Sequence, residues 1–325
     1  MTSQAIAVVG PTATGKSALA IAIARRIGGE VVACDSTAVY RGIDIGTDKV
    51  PVAEQGGVRH HMIDVVGPAD VYSAARYATD AARVMRDITA RGRTPVIAGG
   101  TGFYYRALVR GLFPGPARDT DLRARLERVA ARRGVEALHR WLARVDPASG
   151  RRIQPRDLKR LVRALEVYLL TGRPLTEHFD ATASPIADYT LLTMGLDMPR
   201  EALRARVARR VDDQFARGVV REVTALIQTG VPTTAHAFSG LVYRQVVEHL
   251  QGVRDEPATR ALIVQENMRY ARRQLIWFRK EPGVRWLTGP GEAREARATA
   301  FAAVDAFVNR FQSPPVPQFP GSPVS

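Results

Sequence analysis

The sequence predicts an α/β fold in which a parallel-sheet core built on a phosphate-binding loop, or P-loop, is interrupted by an inserted all-helical domain. Three observations predict it. Gly10, Pro11, Thr12, Ala13, Thr14, Gly15, Lys16 and Ser17 satisfy G-x-x-x-x-G-K-[ST] at every fixed position. The apolar run Ala5-Ile-Ala-Val-Val9 precedes them and a helical pattern over 17–27 follows, which is the strand, loop, helix order such a loop requires. A helical, strongly basic stretch then occupies 118–173, and strand character returns at Tyr189-Thr-Leu-Leu-Thr-Met-Gly-Leu196. The expected organisation is a first core segment over 1–115, a helical insertion over 116–187, a second core segment with basic helices over 188–312, and a disordered Pro-rich tail over 313–325.

In the first strand–loop–helix unit, backbone amides of residues 12–17 converge at a helix N-terminus, where unpaired N–H groups and the helix dipole favour an anion. Lys16 is placed to neutralise terminal phosphates and Ser17 to ligate Mg²⁺. The next strand, Glu30-Val-Val-Ala-Cys-Asp35, ends in a carboxylate. At the carboxyl end of a parallel strand, Asp35 either faces the ligand crevice or caps the turn that follows. Both readings stay open from position alone. A Gly-containing loop spans 40–49, and His60-His-Met-Ile-Asp64 reads as a short strand. Adjacent strand residues point to opposite faces, so His60 and His61 cannot share a metal and are read as structural.

Ser73 offers an N-cap for a helix to Ala90, and Thr94-Pro-Val-Ile-Ala98 is a strand running into Gly99-Gly-Thr-Gly-Phe103. ATPases and GTPases place a Walker-B aspartate at the end of such a strand. Here glycines stand there, which points to a small kinase or transferase. Residues 118–173 read as helices at 121–133, 135–145 and 157–170, with fifteen Lys or Arg against seven Asp or Glu. That concentration suits a phosphate-backbone contact surface. Beyond the returning strand, a helix over 199–216 carries Arg204, Arg206, Arg209 and Arg210 and is suited to clamp a phosphate. Another helical segment opens at Phe238. The helix over 265–280 mixes Arg269, Arg272, Arg273 and Arg279 with Tyr270, Trp277 and Phe278, the last two read as core. A final strand is expected at 283–287 and a final helix at 292–311.

Composition agrees with a polyanionic partner. The 325 residues carry a formal charge of +15, although only four of 47 basic residues are lysines, so an arginine-biased composition contributes. The single Cys34 rules out an internal disulfide and suits a reducing compartment. No secretory signal is visible, and a cytoplasmic protein without membrane association is expected.

The P-loop, Asp35-Ser36 with Val39-Tyr40-Arg41-Gly42, Asp44-Ile-Gly-Thr47, His60-His61-Met-Ile-Asp64, Gly99-Gly-Thr-Gly-Phe-Tyr104, Lys159-Arg-Leu-Val-Arg-Ala-Leu-Glu166 and Gly240-Leu-Val-Tyr-Arg244 together resemble the tRNA dimethylallyltransferases. The motif order is kept from about residue 5 to about residue 290. The resemblance implies transfer of a dimethylallyl group from its diphosphate to N6 of the adenosine 3′-adjacent to the anticodon, with Mg²⁺, by a P-loop core whose helical insertion grips the anticodon arm. It implies that residues 12–17 hold the diphosphate, that Asp35 meets the adenine N6, and that Lys16 and Thr101 join Asp35 in the catalytic set. Ser36, Thr37, Ala38, Thr101, Arg123, Lys159, Arg160, Leu161, Val162, Arg163 and Arg244 are implied tRNA contacts. A monomer is expected. Two departures stand out: many relatives have Gln where Ala38 stands, and Ala-Lys-Pro where this chain has Asp48-Lys49-Val50. Among rival readings, a small-molecule kinase or a free-adenylate isopentenyltransferase leaves the basic insert without a purpose. A non-catalytic RNA-binding module leaves the P-loop without one.

Overall fold

A computed structural model describes residues 2–113, 115–179 and 182–310; the tail expected over 313–325 lies outside these. The strands are β1 (Ser3–Val9), β2 (Glu30–Ala33), β3 (His60–His61), β4 (Pro95–Gly99), β5 (Tyr189–Asp197) and β6 (Arg285–Thr288). The helices are α1 (Lys16–Ile27), α2 (Ala74–Ala90), α3 (Gly102–Arg110), α4 (Thr120–Arg133), α5 (Val135–Val145), α6 (Pro147–Arg152), α7 (Leu158–Thr171), α8 (Leu175–Phe179), α9 (Arg200–Arg217), α10 (Val219–Gln228), α11 (Tyr243–Leu250), α12 (Glu256–Arg279) and α13 (Arg294–Asn309).

The chain forms two compact units, one from residues 1–106 with 188 onward, the other from 107–187. The division falls inside α3, nine residues before the boundary expected at 115/116, because a helix carries the chain across that point. In the first unit all strand pairs are parallel and run in the order β3-β2-β4-β1-β5-β6. Central β1 has neighbours on both edges and helices against its faces, so Ala5 to Val9 are wholly buried. That is why the strand reads as an unbroken apolar run rather than an alternating one. Val9 pairs with Gly99 on one side and Gly195 on the other, which brings the ends of β1, β4 and β5 to one edge. β2 ends at Ala33, two residues earlier than expected, so Cys34 and Asp35 lie in the following loop at that same edge.

The core of this unit packs Leu19 and Ile23 of α1 and Ala300 and Val304 of α13 against Ile6, Val8, Val96, Met194 and Leu196. Ser73 caps α2 by accepting the N–H of Arg76 at 3.2 Å, as its sequence position suggests. Helix α12 begins nine residues before the expected start, with Asp255 capping the N–H of Ala258 at 2.8 Å and a proline in its first turn. Phe278 is buried, whereas Trp277 stays partly accessible beneath the Arg106 guanidinium, 4.4 Å from the ring centre.

The second unit packs α4, α5 and α7 around Leu126, Leu138, Leu142, Leu161 and Leu165. Leu161 and Val162, within the stretch 159–163 expected to meet tRNA, are therefore core residues whose side chains are buried. The helical period explains it: apolar positions 161, 162 and 165 share the inner face of α7 while Lys159 and Arg160 face out. Glu166 on the same helix is fully buried and accepts from Arg123 at 2.8 and 2.7 Å, from Arg163 at 2.7 Å and from the Asp119 N–H at 2.9 Å. Burial alone would raise its pKa, but those donors outweigh it and bring the carboxyl down to about 2.

A folded pKa below the unfolded one means the stabilisation is complete above the ordinary glutamate range and is lost as pH falls toward about 2. Glu166→Ala should cost about 3–5 kcal/mol in urea unfolding near neutral pH, because it strands two partly buried guanidinium groups. The deficit relative to the parent should shrink as the pH is lowered through that window.

Candidate active site

The P-loop bends because two glycines take backbone angles closed to other residues. Gly10 has φ 135°, and a Cβ there would stand 2.7 Å from the Leu196 carbonyl oxygen. Gly15 has φ 81°, and a Cβ there would meet the Gly291 nitrogen at 2.9 Å. Thr14, fully buried, donates its hydroxyl to the Pro11 carbonyl at 2.8 Å, so its side chain shapes the loop from within. Lys16 Nζ donates to the same carbonyl at 2.5 Å. Burial, helped by the nearby Arg210 charge and opposed by Asp35, lowers the Lys16 pKa to about 7.

Helix α9 supplies a wall of arginines. Arg206 Nε donates to the Ala13 carbonyl at 2.7 Å, and its Nη1 pairs with Glu292 at 2.6 Å. Arg210 Nη1 donates to Thr12 Oγ1 at 2.9 Å. The Thr12 N–H donates to Gln274 Oε1 at 2.8 Å, and Gln274 Nε2 donates to the Gly100 carbonyl at 2.9 Å, tying the P-loop to the turn after β4. These groups line a cleft of about 820 Å³ together with Ser17, Ala38, Asp48, Lys49, Arg209, Arg217 and Tyr270. Arg204, on another side of α9, instead lines a second groove with Arg200, Met268 and Arg272.

Asp35 opens into the cleft from the loop after β2. Its Oδ1 accepts from the Thr37 N–H at 2.8 Å, the Thr37 hydroxyl at 2.6 Å and the Ala38 N–H at 3.3 Å. Among the described residues no donor meets Oδ2. One carboxylate thus caps the turn with one oxygen and presents the other. Thr101 locks the same loop: its Oγ1 accepts the Ser36 N–H at 3.1 Å, and its own N–H donates to the Cys34 carbonyl at 3.2 Å. The Tyr270 phenol, which also lines the cleft, is pushed up to about 12 by burial, with the Asp35 charge adding and the nearby Thr101 hydroxyl opposing.

Other sequence-derived residues lie elsewhere. Arg244 is half-exposed, 4.0 Å from Glu248, and does not line the cleft. The buried neighbour Tyr243 links its motif to the site by donating to Glu222 Oε1 at 2.7 Å and accepting the Thr47 N–H at 3.2 Å. Lys159 and Arg160 are exposed on the second unit, where Arg123 and Arg163 are engaged by Glu166. His61 Nε2 lies 2.6 Å from Glu30, and His60 is held by the Val58 carbonyl at 2.9 Å. Among the described residues no group of three or more His, Cys, Asp or Glu is arranged to hold a metal, and no helix is long and apolar enough to cross a membrane.

Sequence reading missed Arg217, Tyr270, Gln274 and Glu292 as cleft residues. Periodicity had a signal for three of them: 206, 210 and 217 share a face of α9, and 270 and 274 are four apart on α12. Glu292 arrives from the loop after β6 with no local signature.

A P-loop at the carboxyl edge of a parallel sheet, facing an arginine wall and one unengaged carboxylate oxygen, defines a phosphate-ester-binding transferase. Comparison with known proteins gives the family. The family model for IPP transferase matches residues 38–281. A tRNA dimethylallyltransferase of Thermomicrobium roseum is 47% identical over 90% of this chain and 89% of its own length, and one of Solibacter usitatus is 44% identical over 94% and 99%. The crystal structure of the full-length tRNA isopentenylpyrophosphate transferase of Bacillus halodurans is 33% identical, with a TM-score of 0.69 over 94% of this chain and 96% of that one. A eukaryotic dimethylallyltransferase captured acting on tRNA superposes with a TM-score of 0.79 at 25% identity, over 98% of this chain and 81% of that one. The chain belongs to the IPP transferase family, whose curated relatives here are tRNA dimethylallyltransferases.

Because Lys16 titrates near neutrality before any anion arrives, binding an anion should draw a proton onto it. Calorimetry of inorganic pyrophosphate binding at about pH 8, in buffers of different ionisation enthalpy, should show uptake approaching one proton per site. Lys16→Met should remove that uptake.

Proposed function

We propose that the protein transfers a dimethylallyl group from dimethylallyl diphosphate to N6 of the adenosine 3′-adjacent to the anticodon of a tRNA, releasing diphosphate. The observation carrying this reading is that Asp35 lines the same cleft as the P-loop while its described hydrogen bonds engage only Oδ1. Attack by a neutral exocyclic amine on an allylic carbon needs two things: a stabilised diphosphate leaving group and an acceptor for the N6 proton. The amides of residues 12–17 and the charge of Lys16 serve the first, with Arg206 and Arg210 beside them. Asp35 Oδ2 serves the second, accepting a hydrogen bond from N6–H and taking its proton as the new C–N bond forms. Thr101 holds the loop that aims Asp35. With Oδ1 tied to three donors, the carboxylate has little freedom to rotate away from its task.

The donor set fits Mg²⁺. Ser17 brings a hydroxyl to the cleft, and among the described residues no group of three or more carboxylates, histidines or cysteines is arranged to hold the ion, which suits one that takes most of its oxygens from phosphate and water. When bound by Ser17 and the diphosphate, it would supply further neutralisation of the leaving group.

An adenine reaching a cleft this deep must leave its stack, at a cost of a few kcal/mol, which an unpaired anticodon loop reduces. The second unit is read as the surface that grips the anticodon arm. Its exposed Lys159 and Arg160 are the leading phosphate contacts, with Arg123 and Arg163 held in fixed orientation by Glu166. Ser36, Thr37 and Ala38 flank Asp35 and are the contacts assigned to the flipped nucleotide.

Incubation with tRNA and dimethylallyl diphosphate, followed by mass spectrometry of the nucleosides, tests the reaction. Lack of any prenylated adenosine, with ATP consumed instead, would turn the assignment to a kinase. Lys16→Ala should weaken diphosphate binding and turnover while leaving tRNA affinity nearly intact. Asp35→Asn keeps the capping geometry but cannot take a proton, so single-turnover chemistry should fall about 10²–10⁴-fold with diphosphate binding preserved. A rate within about threefold of the parent would remove Asp35 as the base. Log affinity for tRNA should fall steeply with log salt, and neutralising Lys159 with Arg160 should reduce that slope by about one to two. An unchanged slope would move the tRNA surface elsewhere.

A further inference from the structure

Three of the cleft's four arginines, Arg206, Arg210 and Arg217, are paired with carboxylates of the chain itself. Asp48 places Oδ2 3.3 Å from Arg210 Nε and Oδ1 2.9 Å from Arg217 Nη1, one oxygen to each guanidinium. Two non-bridging oxygens of a phosphate would engage the pair in the same way. The side chain is held in this position by a strained turn: Asp48 has φ 59°, its N–H donates to the Ile45 carbonyl at 3.1 Å, and Arg210 Nη2 donates to the adjacent Thr47 carbonyl at 3.2 Å. The turn is in turn anchored by Glu222, which accepts the N–H groups of Asp44 and Ile45 at 3.0 and 2.7 Å. Asp48 is therefore a fixed anion rather than a wandering surface carboxylate. It sits in the cleft that also holds Lys16 and the P-loop.

We propose that Asp48 competes with the diphosphate for Arg210 and Arg217, and so sets how tightly the site holds the prenyl donor and how readily it gives up the pyrophosphate product. The inference rests on the diphosphate reading of this cleft. A diphosphate that recruits either arginine must separate it from Asp48 and then lies beside that negative charge. Each loss weakens the bound state of substrate and product alike. When pyrophosphate leaves, the carboxylate re-forms both ion pairs, so the guanidinium groups are not left unpaired.

Asp48→Asn tests this. Asn tolerates the left-handed backbone at this position and keeps the side-chain shape while losing the charge. Asp48→Gly, which also accepts that backbone angle, is the second removal of the carboxylate should the first variant fold poorly. Calorimetric titration with inorganic pyrophosphate should show tightening of about tenfold in either variant, expressed mainly as slower dissociation. Combining Asp48→Asn with Arg217→Gln should shrink that gain, since the carboxylate then screens one guanidinium instead of two. Unchanged or weaker pyrophosphate binding in variants that melt like the parent would overturn the proposal and make Asp48 a support for Arg210. A parent that does not bind pyrophosphate at all would overturn the diphosphate site itself, an outcome distinct from normal parental binding without tightening.

Discussion

Lys16, Arg206, Arg210 and Arg217 are four of the six cations that line one cleft, beside Lys49 and Arg209, and their mutual repulsion is the constraint that the surrounding structure answers. Each is met by oxygen acceptors: Pro11 O for Lys16, Ala13 O and Glu292 for Arg206, Thr12 Oγ1, Thr47 O and Asp48 for Arg210, and Asp48 for Arg217. Those acceptors come from the P-loop, the 44–48 turn and the loop after β6, so the same contacts that hold the charges also hold the walls of the cleft. The Lys16 pKa is lowered first by burial and then by the Arg210 charge, a remainder that protein oxygens do not cancel. An incoming anion is favoured because it cancels that remainder.

In the proposed reaction Asp35 would serve structure and chemistry with one side chain. Capping and base catalysis are alternatives when only its position is known, but a carboxylate has two oxygens. Three donors on Oδ1 fix the group, and among the described residues none engages Oδ2 of this cleft-lining carboxylate. Rigidity of this kind is what a general base requires, since proton transfer depends on hydrogen-bond geometry before it depends on pKa. Thr101 extends the same principle outward by locking the loop through the Ser36 N–H.

In the second unit, net charge and contact surface separate. Fifteen basic residues over 118–173 suggest a uniformly cationic face, yet Arg123 and Arg163 turn inward to a buried Glu166 and only their outer edges are accessible. Such an inward pair orients guanidinium planes at a surface and limits their rotamers, whereas Lys159 and Arg160 are exposed, Arg160 paired only with Asp157 at 3.4 Å on its own helix end. The unit combines preset and adaptable cations.

Features that depend on neighbours along the chain are readable from the residues alone. The P-loop, its flanking strand and helix, the Ser73 cap and the amphipathic 157–170 helix are legible because backbone angles and one-face burial follow from residues within a turn or two. Asp35 and Thr101 were legible as residues at strand ends, since parallel strands bring those ends to one edge. Tertiary structure decided which partners those residues meet. Gln274 reaches the P-loop across 262 positions, and Arg210 reaches Thr12 across 198. Leu161 and Val162 share a motif with Lys159 and Arg160 but face the opposite way because the packed core, not the motif, chooses which side of α7 is buried. Glu292 and Asp48 lie in loops without periodicity, and only the fold sets their carboxylates against arginines from α9. Local sequence restricts φ, ψ and the buried face; it carries no distance between charges hundreds of residues apart, and those distances decide the site's electrostatics.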